Sequence, residues 1–113
     1  MNHRVREEQE SIVVALSGDI DLQSSPTART VLLAAVGRNR PIFVDLSDVS
    51  YIDSSGIASL VEALQDARKR GLRFALVSVS EAARRVLQLA RLDKVFVIHA
   101  SLSDALATGG SRP

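Results

Sequence analysis

Residues 41–70 have the sequence PIFVDLSDVSYIDSSGIASLVEALQDARKR. Residues 41–46 are almost continuously apolar, which is typical of a buried parallel strand. From Ile57 to about Arg70, apolar residues recur at the i, i+3, i+4, i+7 spacing of an amphipathic helix, and Gly71 follows as its stop. A strand followed by a helix is half of a βαβ unit, so this segment predicts an α/β fold.

The same alternation continues on both sides of this segment. Further strands are predicted at 12–16, 74–79 and 95–98, and a weak edge strand around Val5 is expected to run antiparallel. Helices are predicted to begin with Ser25 as N-cap and Pro26 at the first helical position, with Ser80 as N-cap, and near residues 101–103. The pattern predicts a small, mostly parallel sheet of four to five strands covered by about four helices.

Length and composition limit the classes of function. The 113 residues suffice for one domain, predicted at 1–108, with a flexible tail at 109–113. A net charge of +1 provides no basic surface for nucleic acid or an anionic membrane, and the lack of Cys excludes disulfides and thiolate sites. No run approaches the about 18 apolar residues of a membrane span, and no signal peptide is found. A cytoplasmic protein is therefore expected.

Motifs for catalysis and for cofactor binding are not found in the sequence. The spacing of the glycines allows neither a dinucleotide-binding nor a P-loop pattern. The G-x-S-x-G pattern of a hydrolase fails around Ser55 because position 53 is Asp. The histidines, His3 and His99, are assigned surface roles. We therefore expect no enzyme activity, no cofactor and no metal.

The segment 51–57, YIDSSGI, has both a structural and a functional interpretation. Structurally, Asp53 or Ser54 is the N-cap of the long helix, and Gly56 allows close packing. Functionally, a hydroxyl at a helix N-terminus can accept a phosphate, which adds a charge of about −2 that the helix tolerates. Such a group would alter a binding surface reversibly, and on this argument Ser54 and Ser55 are equally suitable.

Two motifs in this chain resemble those of a known family. The first is LSGDID at 16–21, after a strong strand, and the second is VDL at 44–46 followed by IDSSG at 52–56. With these motifs the chain resembles the STAS domains, and within them the single-domain anti-sigma factor antagonists of bacterial partner-switching systems. The resemblance extends from about Val5 to Leu106.

The resemblance implies a phosphorylation switch rather than an enzyme. In the family, a histidine-kinase-like serine kinase that is also the anti-sigma factor phosphorylates the second hydroxyl of D-S-S-G, here Ser55. A PP2C-type serine phosphatase removes the phosphate, and the unphosphorylated form binds the kinase and releases its client. An alternative within the family is an accessory subunit of a phospholipid-transport ABC complex. The expected partner-binding and switch residues are Asp21, Ser24, Ser25, Asp53, Ser54, Gly56, Ser59 and Glu62.

Overall fold

The computed structural model describes residues 1–109. Strands and helices alternate along this part of the chain, as predicted. In chain order the elements are β1 (Asn2–Glu8), β2 (Ser11–Ile20), α1 (Ser25–Val36), β3 (Ile42–Ile52), α2 (Ser54–Lys69), β4 (Phe74–Val77), α3 (Glu81–Leu89), β5 (Val97–His99) and α4 (Leu102–Gly109). The strands form one sheet in the order β1-β2-β3-β4-β5. The predicted α/β class is confirmed.

Three helices cover one face of the sheet. β2 to β5 are parallel and neighbours in sequence, so successive right-handed crossovers place α1, α2 and α3 on the same side. Leu32, Leu60 and Leu87 from these helices pack with Val44 and Leu76 of the sheet in the main hydrophobic core. Burial of these aliphatic side chains is the principal stabilising contribution to this layer.

The opposite face has a smaller core, formed with α4. Phe43, Ala75 and Val77 point to this side because successive strand residues face opposite sides of a sheet. Ala105 of α4 is buried against them. The predicted cover of about four helices is therefore distributed unevenly, with three helices on one face and one short helix on the other.

The strand β1 is the antiparallel edge strand expected from the sequence. Val5 pairs with Val14 of β2, and β1 is largely exposed. The carboxylate of Glu7 makes ion pairs with Arg38 and Arg40, which follow α1. These pairs fix the end of the edge strand to the loop between α1 and β3.

Several predicted boundaries are wrong. The strand β3 extends through Ile52, so residues 47–52, which were expected to be a loop, are strand. They remain in the sheet because β2 also continues to Ile20 and pairs with them, with register shifts after Ala15 and Gly18. The two central strands thereby reach the beginning of α2.

Other boundaries differ by a few residues. The strands β4 and β5 are shorter than predicted, at 74–77 and 97–99. The N-cap of α1 is Ser24 rather than Ser25, because the helix begins one residue earlier. Ser101 caps α4, since its hydroxyl accepts a hydrogen bond from the N–H of Asp104 at 3.1 Å. Of the predicted tail, Gly109 is the last residue of α4 and positions 110–113 lie outside the described residues.

Candidate functional site

The candidate site lies where β2 and β3 end side by side. Ile20 and Ile52 are paired in the sheet, and the N–H of Asp53 donates to the carbonyl oxygen of Ile20 at 3.1 Å. The next residues of the two strands are therefore neighbours, which brings the loop containing Asp21 to the start of α2. Carboxyl ends of adjacent parallel strands are a common place for binding sites in α/β proteins.

Asp53 is the N-cap of α2, and of the two predicted candidates it is the one that caps the helix. Its backbone is extended, and its Oδ1 accepts hydrogen bonds from the N–H groups of Ser55 at 3.0 Å and Gly56 at 3.2 Å. The same oxygen accepts a bond from the hydroxyl of Ser55, with the two oxygens 2.6 Å apart. A short O–H···O⁻ bond of this kind is charge-assisted and strongly fixes both groups.

The charge of Asp53 is stabilised by these donors. The pKa of Asp53 lies below its ordinary value, chiefly because the Ser55 hydroxyl hydrogen-bonds to the charged form. Backbone N–H groups of Gly56, Ser55 and Leu22 lower the pKa further, and partial burial opposes them.

Asp21 organises the loop between β2 and α1. Its Oδ1 accepts hydrogen bonds from the N–H groups of Gln23 at 3.1 Å and Ser24 at 3.0 Å, and the Ser24 hydroxyl accepts one from the N–H of Asp21 at 2.9 Å. The pKa of Asp21 is lowered, first by the N–H of Ser24 and then by its hydroxyl, while the nearby charge of Asp53 opposes this. Asp21 and Ser24 therefore lie beside Asp53 at the start of α2.

Two of the expected site residues are buried between α1 and α2. Ser59 was named among the expected partner-binding residues, but only 5% of the residue is exposed. Its hydroxyl lies 3.3 Å from the carbonyl oxygen of Ser25 and 3.2 Å from that of Ser55. Ser25 is buried as well. These two serines join the helices and are not available to a partner.

The side chain of Glu62 is 43% exposed and already has a partner. Both of its carboxylate oxygens accept hydrogen bonds from the guanidinium group of Arg29 in α1, each at 2.7 Å. The pKa of Glu62 is lowered, first through its hydrogen bonds with Arg29. A bidentate Arg–carboxylate pair fixes geometry more firmly than a single contact, so Glu62 links α1 to α2 at the surface.

Ser54 and Ser55 differ in their surroundings although they are adjacent. Ser54 is exposed at the first position of α2, while Ser55 is half-buried with its hydroxyl on Asp53. Gly56 is buried under the ends of β2 and β3. The structure thus brings Asp21, Asp53 and the two serines to one surface, with Gly56 packed below it.

Two large apolar residues that adjoin the site residues along the chain are exposed and were not singled out from the sequence. Leu22 is 75% exposed and Tyr51 is 50% exposed. Tyr51 pairs with Asp19 of β2 and precedes the buried Ile52, so strand alternation could have indicated its exposure. The exposure of Leu22 follows from its position in the loop between β2 and α1.

Residues 1–109 contain neither a cluster of metal-ligating side chains nor a helix suited to cross a membrane. No group of three or more metal-ligating side chains is close enough to hold an ion. None of the helices in that range combines the length and the apolar character that a membrane crossing requires.

The hydrogen bonds of Asp53 should stabilise the fold in a pH-dependent manner. We expect Asp53→Ala to lower the thermal midpoint by several degrees at neutral pH, because the N-cap of α2 is lost. The folded pKa is below the unfolded value of about 3.9, so this stabilisation is complete above that value and is lost as the pH falls through the folded pKa. Thermal unfolding followed by circular dichroism should show the gap to wild type narrowing below about pH 4.

Ser54→Ala is the matched control, since this neighbour is exposed and does not cap the helix. It should leave the thermal midpoint nearly unchanged. A gap between Asp53→Ala and wild type that stays constant with pH would contradict a stabilising role of the charged carboxylate.

Comparison with known proteins gives a consistent result. A family model described as the STAS domain matches residues 3–105. The anti-sigma-B factor antagonist of Bacillus subtilis is 29% identical over 100 residues, which cover 88% of this chain and 92% of that protein. A crystal structure of an anti-sigma factor antagonist from Mycobacterium paratuberculosis superposes with a TM-score of 0.84 at 30% identity, covering 94% of this chain and 91% of that one.

A second solved structure is also similar to this chain. An anti-sigma factor antagonist (STAS) domain protein from Planctomyces limnophilus has a TM-score of 0.81 at 25% identity. The alignment covers 93% of this chain and 95% of that one. The similarity therefore includes nearly the full length of both chains.

Proposed function

This chain belongs to the STAS domain family, and we propose that it is an anti-sigma factor antagonist whose binding is switched by phosphorylation of Ser55. In its unphosphorylated form it binds a histidine-kinase-like serine kinase that is also an anti-sigma factor, and the kinase then releases its client. A PP2C-type serine phosphatase restores the binding form. The protein itself is a binding regulator rather than an enzyme, and it acts in the cytoplasm.

The bond between Ser55 and Asp53 is the observation that supports this proposal best. Phosphoryl transfer to a serine requires an oriented hydroxyl and an acceptor for its proton. The Ser55 hydroxyl already donates to the Asp53 carboxylate across 2.6 Å, so its lone pairs can face an incoming phosphoryl group. No corresponding bond is found for Ser54 within residues 1–109, so the geometry favours Ser55 as the acceptor.

The position of Ser55 also suits a reversible modification. Ser55 lies in the first turn of α2, where the positive end of the helix dipole stabilises an added negative charge. The hydroxyl is half-buried at the surface rather than in the core. A phosphate can therefore change the surface without unfolding the domain.

The names of the similar proteins favour this function over the transport-complex alternative. The Bacillus subtilis relative is named an anti-sigma-B factor antagonist and the mycobacterial one an anti-sigma factor antagonist. An accessory role in phospholipid transport has no comparable support in the residues of the site.

The modified residue can be identified directly. We expect one of the histidine-kinase-like anti-sigma factors encoded in the source genome, each purified and tested with ATP, to add one phosphate to this chain. Fragment-ion mass spectrometry should locate the phosphate on Ser55. Ser55→Ala should accept none, and Ser54→Ala should be phosphorylated at a rate close to that of wild type.

Two outcomes would contradict the proposal in different ways. Phosphate on Ser54 would mean that the Asp53 bond does not select the acceptor. A complete lack of both binding and phosphorylation with every such kinase would refute the partner-switching function itself.

A further inference from the structure

The face of the sheet opposite α1, α2 and α3 has an open groove beside α4. The helix α4 packs over Phe43, Ala75 and Val77, on the side of β4 and β5. Side chains of β1, β2 and β3 on the same face line a groove of about 280 Å³. The groove is separate from the candidate site, because α2 and its Ser55 lie on the other side of the sheet.

One row of paired residues crosses this groove. Arg4 of β1 pairs with Ala15 of β2, and Ala15 pairs with Asp45 of β3, so the three side chains lie on the same face. Arg4 and Asp45 are two strand spacings apart, which is about 10 Å between backbones. Within residues 1–109 neither side chain forms an ion pair, and Asp45 accepts one hydrogen bond, from the N–H of Ser47 at 2.9 Å. The two opposite charges therefore lie across an alanine from each other without meeting.

The two walls of the groove continue with the same signs of charge. Arg6 lies on the wall of β1, and Asp48 lies on the wall of β3. Between the walls, β2 contributes the small side chains of Ala15 and Ser17. Arg6 also contacts Glu8 at 3.5 Å, but an exposed pair of this kind contributes little stability. The groove thus has a cationic stripe and an acidic stripe with a shallow floor between them.

We propose that this groove is the interface of a symmetric homodimer, in which the faces of two copies lie against each other about a two-fold axis along β2. Such an axis exchanges the two sides of β2, so the cationic stripe of each copy lies on the acidic stripe of the other. Arg4 of one protomer then pairs with Asp45 of the partner subunit, and symmetry forms the same pair a second time. Ala15 lies at the axis, where its small side chain allows the two faces to approach.

The geometry of this contact predicts a weak dimer. A face three strands wide is small, and interfaces that bury less than about 1,200 Å² in total are typically transient. Its charge pairs favour one orientation of the two copies, and salt should weaken them. Because the contact is face to face, the backbone edge of β1 stays unpaired and Ser55 stays uncovered. The inference therefore does not depend on the proposed function.

Sedimentation equilibrium of the purified chain measures this association directly. We expect the average mass to rise from that of one chain toward that of two chains between about 10 µM and about 1 mM protein, at about 50 mM salt. The dissociation constant should rise at least about tenfold when the salt is raised to about 500 mM, because the interface depends on charge pairs near solvent.

Charge reversal identifies the surface. Arg4→Glu and Asp45→Arg should each weaken association at least about tenfold, because a homodimer contains each reversal twice and like charges then lie together. An equimolar mixture of the two variants should associate within about threefold of wild type, since each reversed side chain then meets one of opposite charge. This recovery would also show that both variants fold. Arg84→Glu, at an exposed position of α3, is the matched control and should associate as wild type does.

Three outcomes would overturn the proposal. The first is a wild-type chain that stays monomeric at about 1 mM protein in low salt. The second is a dimer that neither single reversal weakens, or a mixture of the variants that associates no better than each variant alone, because Arg4 and Asp45 would then not meet. The third is an equal loss in the Arg84→Glu control, because the effect would then not be specific to the groove.

Discussion

Ser55→Asp is expected to bind the kinase/anti-sigma partner at least about 100-fold more weakly than wild type, which corresponds to about 2.7 kcal/mol. The substitution places a permanent charge where the Ser55 hydroxyl now donates to Asp53 across 2.6 Å. The two carboxylates repel each other, and a charge covered by a partner loses its hydration. Calorimetric titration of the unphosphorylated proteins measures the loss.

Ser55→Ala is the opposite variant and provides the control. It should bind the partner as wild type does and accept no phosphate. Both variants should keep their far-ultraviolet circular dichroism, and their thermal midpoints should lie within a few degrees of wild type, since a helix N-terminus tolerates negative charge. Equal affinities of the two variants would show that charge at Ser55 is not the switch, and unfolding of Ser55→Asp would favour a purely structural role for this segment.

Gly56→Val is expected to produce the largest loss of stability among the substitutions at this site. A Cβ at this position would lie 2.7 Å from Cγ1 of Ile52 and 2.8 Å from Cγ2 of Ile20, and 3.1 Å from the Ile20 carbonyl oxygen. All of these distances are shorter than ordinary van der Waals contact, and valine adds two methyl groups beyond the Cβ. Overpacking of this kind typically costs about 1–3 kcal/mol, which urea unfolding of the purified variant would measure.

Gly37→Val provides the comparison. Gly37 is exposed at the end of α1, and its Cβ would approach no atom closer than 3.4 Å, so a change within about 0.5 kcal/mol is expected. Equal stabilities of the two variants would mean that the ends of β2 and β3 move easily away from α2. That result would also contradict a rigid site, because Ile20 and Ile52 lead directly to the loops of Asp21 and Asp53.

The sequence predicted the order of the elements of the fold and a candidate site at the start of α2. Hydrophobic periodicity distinguishes strand from helix because the two place side chains differently, so the order of elements and the parallel sheet could be predicted. A cap at Asp53 or Ser54 follows from their position before an amphipathic run, and the structure selects Asp53. The approach of Asp21 to Asp53 could be expected only from the resemblance to a family, since it depends on which strands are neighbours.

The sequence did not predict features that depend on packing between elements. Residues 47–52 contain Ser, Asp and Tyr and look like a loop, but pairing with the extended β2 keeps them in the sheet. Ser59 looks like a surface residue of α2, but it lies in a stripe of small residues with Gly56, Ala63 and Ala67 that is buried in the fold. Small polar residues are accepted in such a stripe when a carbonyl oxygen is within reach, as that of Ser25 is here.

The charges of the edge strand β1 affect how copies of this protein associate at high concentration. An edge strand exposes backbone groups that can extend a sheet into a neighbouring molecule, which is a common first step of aggregation. Here that edge includes Arg4, Arg6, Glu7 and Glu8, and its end is fixed by the ion pairs of Glu7. Pairing of this edge with another copy would remove water from these charged side chains and disturb the ion pairs of Glu7, so it is disfavoured. The edge formed by β1 is thus protected from pairing with a strand of another copy.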